Sequence, residues 1–368
     1  MKRLMILVLI GLTIALSSNH SVHGINVFHE ITVENVNQIE EIARASVDEG
    51  WLSIAFQPGG QMLAGFEGLD DDARVVIFST PSLERVEAEI ERQWLYALTY
   101  SPDGSILAVT GAYGLIEIFD AETFELITAI QSDEALLTVT DRMHQVAIDP
   151  TNRYVAVGYG HPVQYSYGTY IAQVIDITTG EQIAAIMRGD DLGGVESASA
   201  VQFDESGAFV YVTSWEDILY QIDVETGEVI VLVPEIGTSE KSSNGNRIFT
   251  LTNDGRIVYV SNNVIRLLSD NGIQDIALDV EITSLDWWAV SSLEAHPFQP
   301  LIAISYVIPF EGWRSTVLQV WDIDKGELKL DMRSPEQTFA RAIFSPDGTF
   351  LATRGGGIVQ MWGIPADE

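Results

Sequence analysis

The chain contains no cysteine. Without a thiol it can form no disulfide, and it has no thiolate metal ligand, no cysteine nucleophile and no cysteine to carry an N-terminal lipid. Apolar residues make up 46% of the sequence, enough to fill a sizeable core, so the composition argues against a disordered chain.

Basic residues are scarce as well. Nineteen Lys and Arg stand against 53 Asp and Glu, which gives a formal net charge of −34. Such a surface repels phosphate backbones and anionic lipid, so we expect no binding to nucleic acid or acidic membranes. Two interpretations of the charge stay open: it maintains solubility, or it attracts cations, either metal ions or basic partners.

Long apolar runs occur only at the N-terminus. Lys2 and Arg3 precede a 13-residue apolar run at residues 4–16, and small and polar residues follow up to Gly24. This arrangement is typical of a secretory signal peptide, and the run is too short for a comfortable membrane span. We therefore assign residues 1–24 as a signal peptide, with a cut near Ser18 as the alternative. We expect a secreted or extracytoplasmic protein without a stable membrane span. A large secreted domain without disulfides also favours a bacterial origin.

Catalytic motifs are lacking too. The sequence contains no HExxH, G-x-S-x-G or GxxxxGK(S/T) motif and no Rossmann glycine cluster. Beyond residue 24, only His161 among the histidines lies in a candidate functional loop, and one histidine makes no metal site. The run Asp70-Asp71-Asp72 lacks the spaced calcium-loop pattern and is interpreted as a solvated acidic turn. We expect no catalytic residue, no metal and no cofactor.

One short pattern occurs seven times: an apolar run, a tight polar turn and a second apolar run. The clearest copies are ALTYSPDGSILAVTG, from Ala97, and RAIFSPDGTFLATRG, from Arg341. Proline presets φ at the second turn position, and Asp-Gly or Ser-Gly supplies the left-handed residue that reverses the strand. The second positions of successive turns are 44, 48, 55, 48, 44 and 49 residues apart. This spacing suits a four-stranded blade of a β-propeller.

Val320-Trp321-Asp322-Ile323, followed about 25 residues later by the turn at Ser345, resembles the WD-repeat signature. The resemblance covers roughly residues 31–365. It implies an all-β fold in which residues 25–368 form a single seven-bladed propeller of four-stranded antiparallel blades. The chain has no Gly-His pair before a first strand and only one Trp-Asp pair. These departures place it between WD-repeat and YVTN-type bacterial propellers.

The end of the chain predicts how the ring closes. The last repeat supplies three strands, and its missing fourth strand is predicted at Ile39 to Ala45, just before the first full repeat. An N-terminal strand in the last blade would lock the ring without a free edge.

In propellers that resemble this chain, the turns after the first and third strands lie on one face, which we call the turn face. The opposite, long-loop face carries the loops between second and third strands and between blades. Here those loops vary in length, among them residues 308–314, and gather acids and aromatics, which suit a cationic or carbohydrate ligand. The alternative is that these aromatics pack between blades and the acids form a solvated rim. The candidate binding residues are Asp71, Asp141, Arg142, His161, Tyr165, Tyr167, Asp190, Asp191, Trp215, Trp287, Trp288 and Trp313.

Two functions follow from these residues. The first is a non-catalytic, monomeric binding module that presents the long-loop face to a protein, peptide or glycan. The second is a propeller hydrolase, a lactonase or glycan-cleaving enzyme, with Asp141, Arg142 and Glu216 near the central channel. Convergence of acids, a base and a cation around one pocket would distinguish the enzyme.

Overall fold

The computed structural model describes residues 27–48, 53–68, 72–92, 94–111, 114–131, 142–160, 170–187, 198–214, 218–233, 249–261, 264–269, 272–277, 290–310, 313–335 and 338–366. Within these ranges the regular elements are β-strands, and Val36–Gln38 forms a turn of 3-10 helix. None of the described segments forms a helix that is long and apolar enough to cross a membrane.

The described strands form seven antiparallel sheets, and each sheet is one blade. Blade 1 comprises β3 (Ile54–Phe56), β4 (Met62–Glu67), β5 (Arg74–Ser79) and β6 (Arg85–Glu91). Blade 2 comprises β7 (Leu95–Tyr100), β8 (Ile106–Gly111), β9 (Leu115–Asp120) and β10 (Leu126–Gln131). Blade 3 comprises β11 (Arg142–Ile148), β12 (Tyr154–Gly160), β13 (Tyr170–Asp176) and β14 (Gln182–Met187). Blade 4 comprises β15 (Ala198–Phe203), β16 (Phe209–Ser214), β17 (Leu219–Asp223) and β18 (Val229–Val233).

The remaining strands complete the ring. Blade 5 comprises β19 (Phe249–Leu251), β20 (Ile257–Ser261), β21 (Val264–Ser269) and β22 (Gly272–Ala277). Blade 6 comprises β23 (Val290–Ala295), β24 (Leu301–Phe310), β25 (Trp313–Asp322) and β26 (Glu327–Ser334). Blade 7 takes β27 (Arg341–Phe344), β28 (Leu351–Gly355) and β29 (Ile358–Pro365) from the C-terminal end, with β1 (Phe28–His29) and β2 (Glu40–Ser46) from the N-terminal end. The predicted seven-bladed propeller is confirmed.

Closure occurs where the sequence predicts it. Strand β2 pairs antiparallel with β29, from Glu40 opposite Gly363 to Ser46 opposite Ile358. The short strand β1 extends the same edge, with Phe28 opposite Pro365. The predicted closing strand, Ile39 to Ala45, differs from β2 by one residue at each end.

Apolar side chains bury both faces of each blade because every blade lies between two others. The buried residues fall into seven clusters, and each cluster joins two neighbouring blades. Phe66 of blade 1, for example, packs with Leu98 and Phe119 of blade 2. Val359 of blade 7 packs with Phe78 of blade 1, so the core continues across the closing seam. Burial of this kind contributes about 25 cal/mol per Å² of apolar surface.

Side chains also link the innermost strands laterally. An innermost strand has a β-neighbour on one side only, so some of its amides need other partners. Ser292 Oγ, on β23, accepts a hydrogen bond from the amide of Ala342 in the next blade at 3.0 Å. Similar bonds join three further pairs of neighbouring inner strands: Leu98 N to Ser53 Oγ, Leu251 N to Gln202 Oε1, and Ala295 N to Thr250 Oγ1.

We expect the substitution Ser292→Ala to lower the free energy of unfolding by about 1 to 3 kcal/mol, because it leaves the buried Ala342 amide and the Ser305 hydroxyl without this partner. The matched control is Ser82→Ala, which removes an exposed hydroxyl in a turn of blade 1 and leaves stability nearly unchanged. Urea unfolding of both variants checks the prediction, and equal midpoints for the two would contradict it.

Candidate functional site

The residues predicted to form the binding surface lie almost entirely outside the described part of the chain. This applies to Asp71, Asp141, His161, Tyr165, Tyr167, Asp190, Asp191, Trp215, Trp287 and Trp288. For Arg142 and Trp313 the backbone is described: Arg142 begins β11 opposite Gly160, and Trp313 begins β25 opposite Phe310. The site on the long-loop face therefore stays a prediction.

In blade 6 the structure corrects a prediction made from the sequence. A loop is expected at residues 308–314, but β24 and β25 continue as a paired hairpin, with Ile308 opposite Ser315 and Phe310 opposite Trp313. The β-branched and aromatic residues of this segment favour the extended strand. Blade 6 therefore projects further on the long-loop side than a compact loop would, and Trp313 lies on a strand at its tip.

A charged cluster that the sequence did not predict lies at the seam between blades 7 and 1. Glu67, the last residue of β4, is only 3% exposed. Its carboxylate accepts hydrogen bonds from the Asp48 amide at 3.0 Å, from Arg74 Nη2 at 2.6 Å and from Arg85 Nη2 at 2.8 Å. Burial opposes ionisation of Glu67, but the bonds from Arg85, the Asp48 amide and Arg74 outweigh it and lower the pKa to about 2.

Arg354 completes this seam from the other side. Its side chain, at the end of β28, is only 2% exposed and donates to the Ser53 and Phe66 carbonyls of blade 1. A Cβ on Gly65 would lie 3.0 Å from Arg354 Nη1, so glycine at position 65 leaves room for the guanidinium. Burial lowers the pKa of Arg354 to about 10, against the opposing effect of Glu67, and the side chain is therefore charged at neutral pH.

The alignment of the repeats indicates the role of Arg354. When the SPDG turns of blades 2 and 7 are superposed, Arg354 takes the position of Thr110. Thr110 Oγ1 donates to the Met143 carbonyl of the following blade at 2.7 Å. Both side chains therefore tie a second strand to the next blade. The arginine occupies the position at the seam where the two ends of the chain meet.

On the turn face, the first residue of most inner turns accepts hydrogen bonds from the turn's own amides. Asp149 accepts from the amides of Thr151 and Tyr154 at 2.9 and 2.6 Å. In blade 6 a histidine does the same: His296 Nδ1 accepts from the amides of Phe298 and Gln299 at 3.1 and 3.0 Å. Carboxylate, hydroxyl and imidazole thus serve one structural role.

His296 also connects two blades. Its Nε2 lies 3.2 Å from the Gly348 carbonyl, and because Nδ1 is an acceptor, the ring proton is assigned to Nε2. Gly348 has φ +69°, and a Cβ there would lie 2.6 Å from His296 Cε1. The close approach of the imidazole and the left-handed backbone both require glycine at this position.

A cavity of about 1130 Å³ opens among these turns and is lined by inner strands and turns of blades 1 to 6. Prolines of several turns border it, and Phe298, which is 57% exposed, lies at its margin. Asp204, Glu205 and Asp254 place carboxylates along the same wall. The opening is wide, with apolar and acidic walls, and it provides contacts suited to a cationic ligand.

The described turns of the turn face are strongly acidic. They contain thirteen acids (Glu84, Asp103, Glu122, Glu125, Asp149, Glu181, Asp204, Glu205, Glu225, Glu228, Asp254, Asp324 and Asp347). They contain three bases, Arg153, Arg256 and Lys325. Each base lies in an ion pair, with Asp176, with Asp254 and Asp324, and with Asp322, respectively. The positive charges are thus locally neutralised, and the described part of this face is negative.

The described residues include no group of three or more His, Asp or Glu side chains placed to hold a metal ion.

Comparisons with known proteins extend the description of the fold. No protein-family model and no curated protein sequence matches the chain. Among solved structures, the β-propeller domain of Cps50 (Swd1) from Myceliophteria thermophila superposes with a TM-score of 0.62. The match covers 87% of this chain and 98% of that domain, at 14% sequence identity. At this identity the similarity shows the propeller fold alone.

We expect the substitution Arg354→Met to lower the free energy of unfolding by about 2 kcal/mol or more, because it keeps the stem but leaves two buried carbonyls and Glu67 without the guanidinium. The control Arg333→Met removes a side chain that is 57% exposed and pairs with Asp331 at 3.5 Å, and it should cost less than about 0.5 kcal/mol. Chemical unfolding of both variants provides the measurement. A loss for Arg354→Met no larger than that of the control would refute a role in closure.

Because of His296, we expect a step in stability at mildly acidic pH: the fold becomes less stable as the pH falls. Burial lowers the pKa of His296, an effect opposed by the Gly348 carbonyl and by Glu30 and Asp347. The neutral imidazole therefore stabilises the fold above pH 6.5, the ordinary value, and this contribution is lost as the pH falls from there towards the folded-state pKa.

In the variant His296→Ser, which carries the residue found at the same turn position in blade 7, this step should disappear. Melting temperatures measured between about pH 7.5 and about pH 5 test it. The control His29→Ser changes an exposed histidine and should keep the step. Parallel pH profiles for wild type and His296→Ser would disprove the assignment.

Proposed function

We propose that the protein is an extracytoplasmic, non-catalytic binding scaffold whose long-loop face meets a protein, peptide or glycan partner. The ring of seven blades supplies a rigid frame, and loops set on such a frame are where propellers of this fold class place their variable contacts. Residues 1–24 would direct export, and the exported form would begin near residue 25.

The observation that carries the proposal is the negative charge of the protein, which supports a cationic partner and which the described residues show on the turn face. The described turns of this face hold thirteen acids and three bases, and all three bases are engaged in ion pairs. Together with the net charge of −34, this field attracts positively charged macromolecules and repels negatively charged ones. Among the proposed partner types, a protein or peptide rich in lysine or arginine therefore fits best.

The turn-face cavity supports the same partner chemistry. Phe298 offers an exposed ring, and Asp204 and Glu205 offer carboxylates within one opening. An arginine or lysine side chain can stack on an aromatic face, and another can pair with an acid of the same opening. The net charge of −34 would steer a cationic partner to the ring before the loops make specific contacts.

One observation favours a second function. Arg142 is the first residue of β11, an innermost strand, so its backbone lies beside the channel at the long-loop end. A hydrolase of the lactonase or glycan-cleaving type would use this arginine with Asp141 and Glu216. Loss of hydrolysis in Arg142→Ala, with unchanged stability, would establish this alternative.

We expect the protein, expressed without residues 1–24, to bind lysine-rich peptides more tightly than glutamate-rich peptides of equal length. Raising the salt concentration from about 50 mM to about 300 mM should weaken binding about tenfold, because exposed charges are then screened. A peptide and glycan array, followed by titration at several salt concentrations, provides the measurement.

Preference for acidic peptides, or affinity that is independent of salt, would argue against a cationic partner. Salt-independent binding to a neutral glycan would retain the scaffold but change its ligand class. Turnover of a lactone or glycoside would favour the hydrolase.

A further inference from the structure

The outermost strands of the ring divide into a charged half and an apolar half. In blades 6, 7 and 1 these strands are β26 (ELKLDMRS), β2 (EEIARAS) and β6 (RVEAEIE), and each carries three or four charged residues. In blades 2, 3 and 4 they are β10 (LITAIQ), β14 (QIAAIM) and β18 (VIVLV), which carry none. We call these three consecutive strands the outer arc. Strand β22 of blade 5 carries one charge, Asp275, paired with Arg266 at 3.1 Å.

Exposed apolar side chains concentrate in the same region. Seven of the nine large apolar side chains that are exposed in the described residues lie on the outer arc and β22: Leu126, Ile127, Met187, Val229, Ile230, Val231 and Ile273. Strand β18 has three in succession, exposed by 37%, 42% and 52%. Successive side chains of a strand point to opposite faces, so both faces of β18 are open at the rim, where neighbouring blades diverge.

An apolar edge of this kind accepts further strands readily. Strand β18 pairs with β17, and no other described strand pairs with it. Proteins usually protect such an edge with charged side chains, as blades 6, 7 and 1 do here. The unprotected edge of β18 is therefore suited to strand addition, in which backbone hydrogen bonds provide affinity and alternate side chains provide specificity.

The residues around the outer arc define the charge of the added strand. The turns that lead into β10, β14 and β18 span residues 121–125, 177–181 and 224–228 and contain no base. They contain five exposed acids: Glu122, Glu125, Glu181, Glu225 and Glu228. Two of these lie directly before β18. A second copy of this chain, with its own net charge of −34, would be repelled.

We propose that β18 accepts an extended segment of a basic partner protein as a fifth strand of blade 4. Apolar side chains of that segment pack on Val229, Ile230 and Val231, and its lysines or arginines lie beside Glu225 and Glu228. The edge of β18 lies on the rim of the ring, and Glu225 and Glu228 belong to the adjoining turn face. The inference therefore rests on the cationic partner of the proposed function, but it does not require the long-loop face.

The test uses a labelled peptide of about nine residues in which alternating valine and threonine precede two lysines, so that antiparallel pairing with β18 places the lysines beside Glu225 and Glu228. Fluorescence anisotropy with the purified protein measures its binding. We expect Val231→Lys to weaken binding about tenfold or more, since a lysine protects the edge and repels the peptide. The matched control Val27→Lys makes the same change at a valine that is 61% exposed and lies away from the arc, and it should bind like wild type.

Three further results are expected. A peptide with glutamates in place of the two lysines binds at least about tenfold more weakly. The lysine peptide slows amide exchange in residues 229–233. Light scattering finds the protein monomeric at the concentrations used.

Failure of the lysine peptide to bind wild type, equal binding to Val231→Lys, or amide protection elsewhere but not in β18 would overturn the inference. So would a dimer that Val231→Lys abolishes, because the occupant of the edge would then be a second copy of the chain.

Discussion

Each blade of this protein can bury its two faces only against its neighbours, and the rest of the structure depends on that constraint. The seven apolar clusters of the described residues all lie between blades, and none of these clusters lies within one blade alone. A blade at an open end would expose one full apolar face, so the array is stable only as a closed ring. The lateral bonds between inner strands, such as that of Ser292 to the Ala342 amide, reinforce the same contacts at the centre.

Closure concentrates polar interactions at one seam. Between blades 7 and 1, apolar packing is joined by the buried guanidinium of Arg354 and by the Glu67 carboxylate with Arg74 and Arg85. This is also where the chain's N-terminal and C-terminal strands share a sheet. A buried charge costs free energy unless it is paired and hydrogen-bonded, so these groups penalise any arrangement of the two blades other than the native one.

The blade number, the strand positions and the closing strand could be predicted because local turn chemistry repeats along the chain. Pro58, Pro102 and Asp103-Gly104 favour a turn through their own backbone preferences, so they predict it without knowledge of distant contacts. Arg354 was missed because its role depends on a neighbour about 300 residues away in sequence, although the equivalent Thr110 shows that the position faces the next blade. The candidate site was predicted from loops whose sequences do not repeat from blade to blade. The sequence of one loop therefore does not constrain the geometry of another.

The turns explain how the repeats can diverge while the fold persists. In most inner turns the first residue is an acceptor that satisfies turn amides, and Ser101, Asp149 and His296 all supply one. This position therefore calls for a hydrogen-bond acceptor and not for one particular residue type. Sequence identity between propellers can therefore fall to 14%, as with the Cps50 domain, without loss of the architecture.

The shared sheet of blade 7 also determines the order in which the molecule can be completed during synthesis. Strand β2 emerges among the first described residues, but its partner β29 emerges last, and Glu41 and Gln360 are 319 residues apart. Six blades can assemble on the growing chain while β2 waits unpaired. A product that stops short of β29 leaves β2 without its partner and blade 7 incomplete. Both ends of such a product would be open to cleavage by proteases.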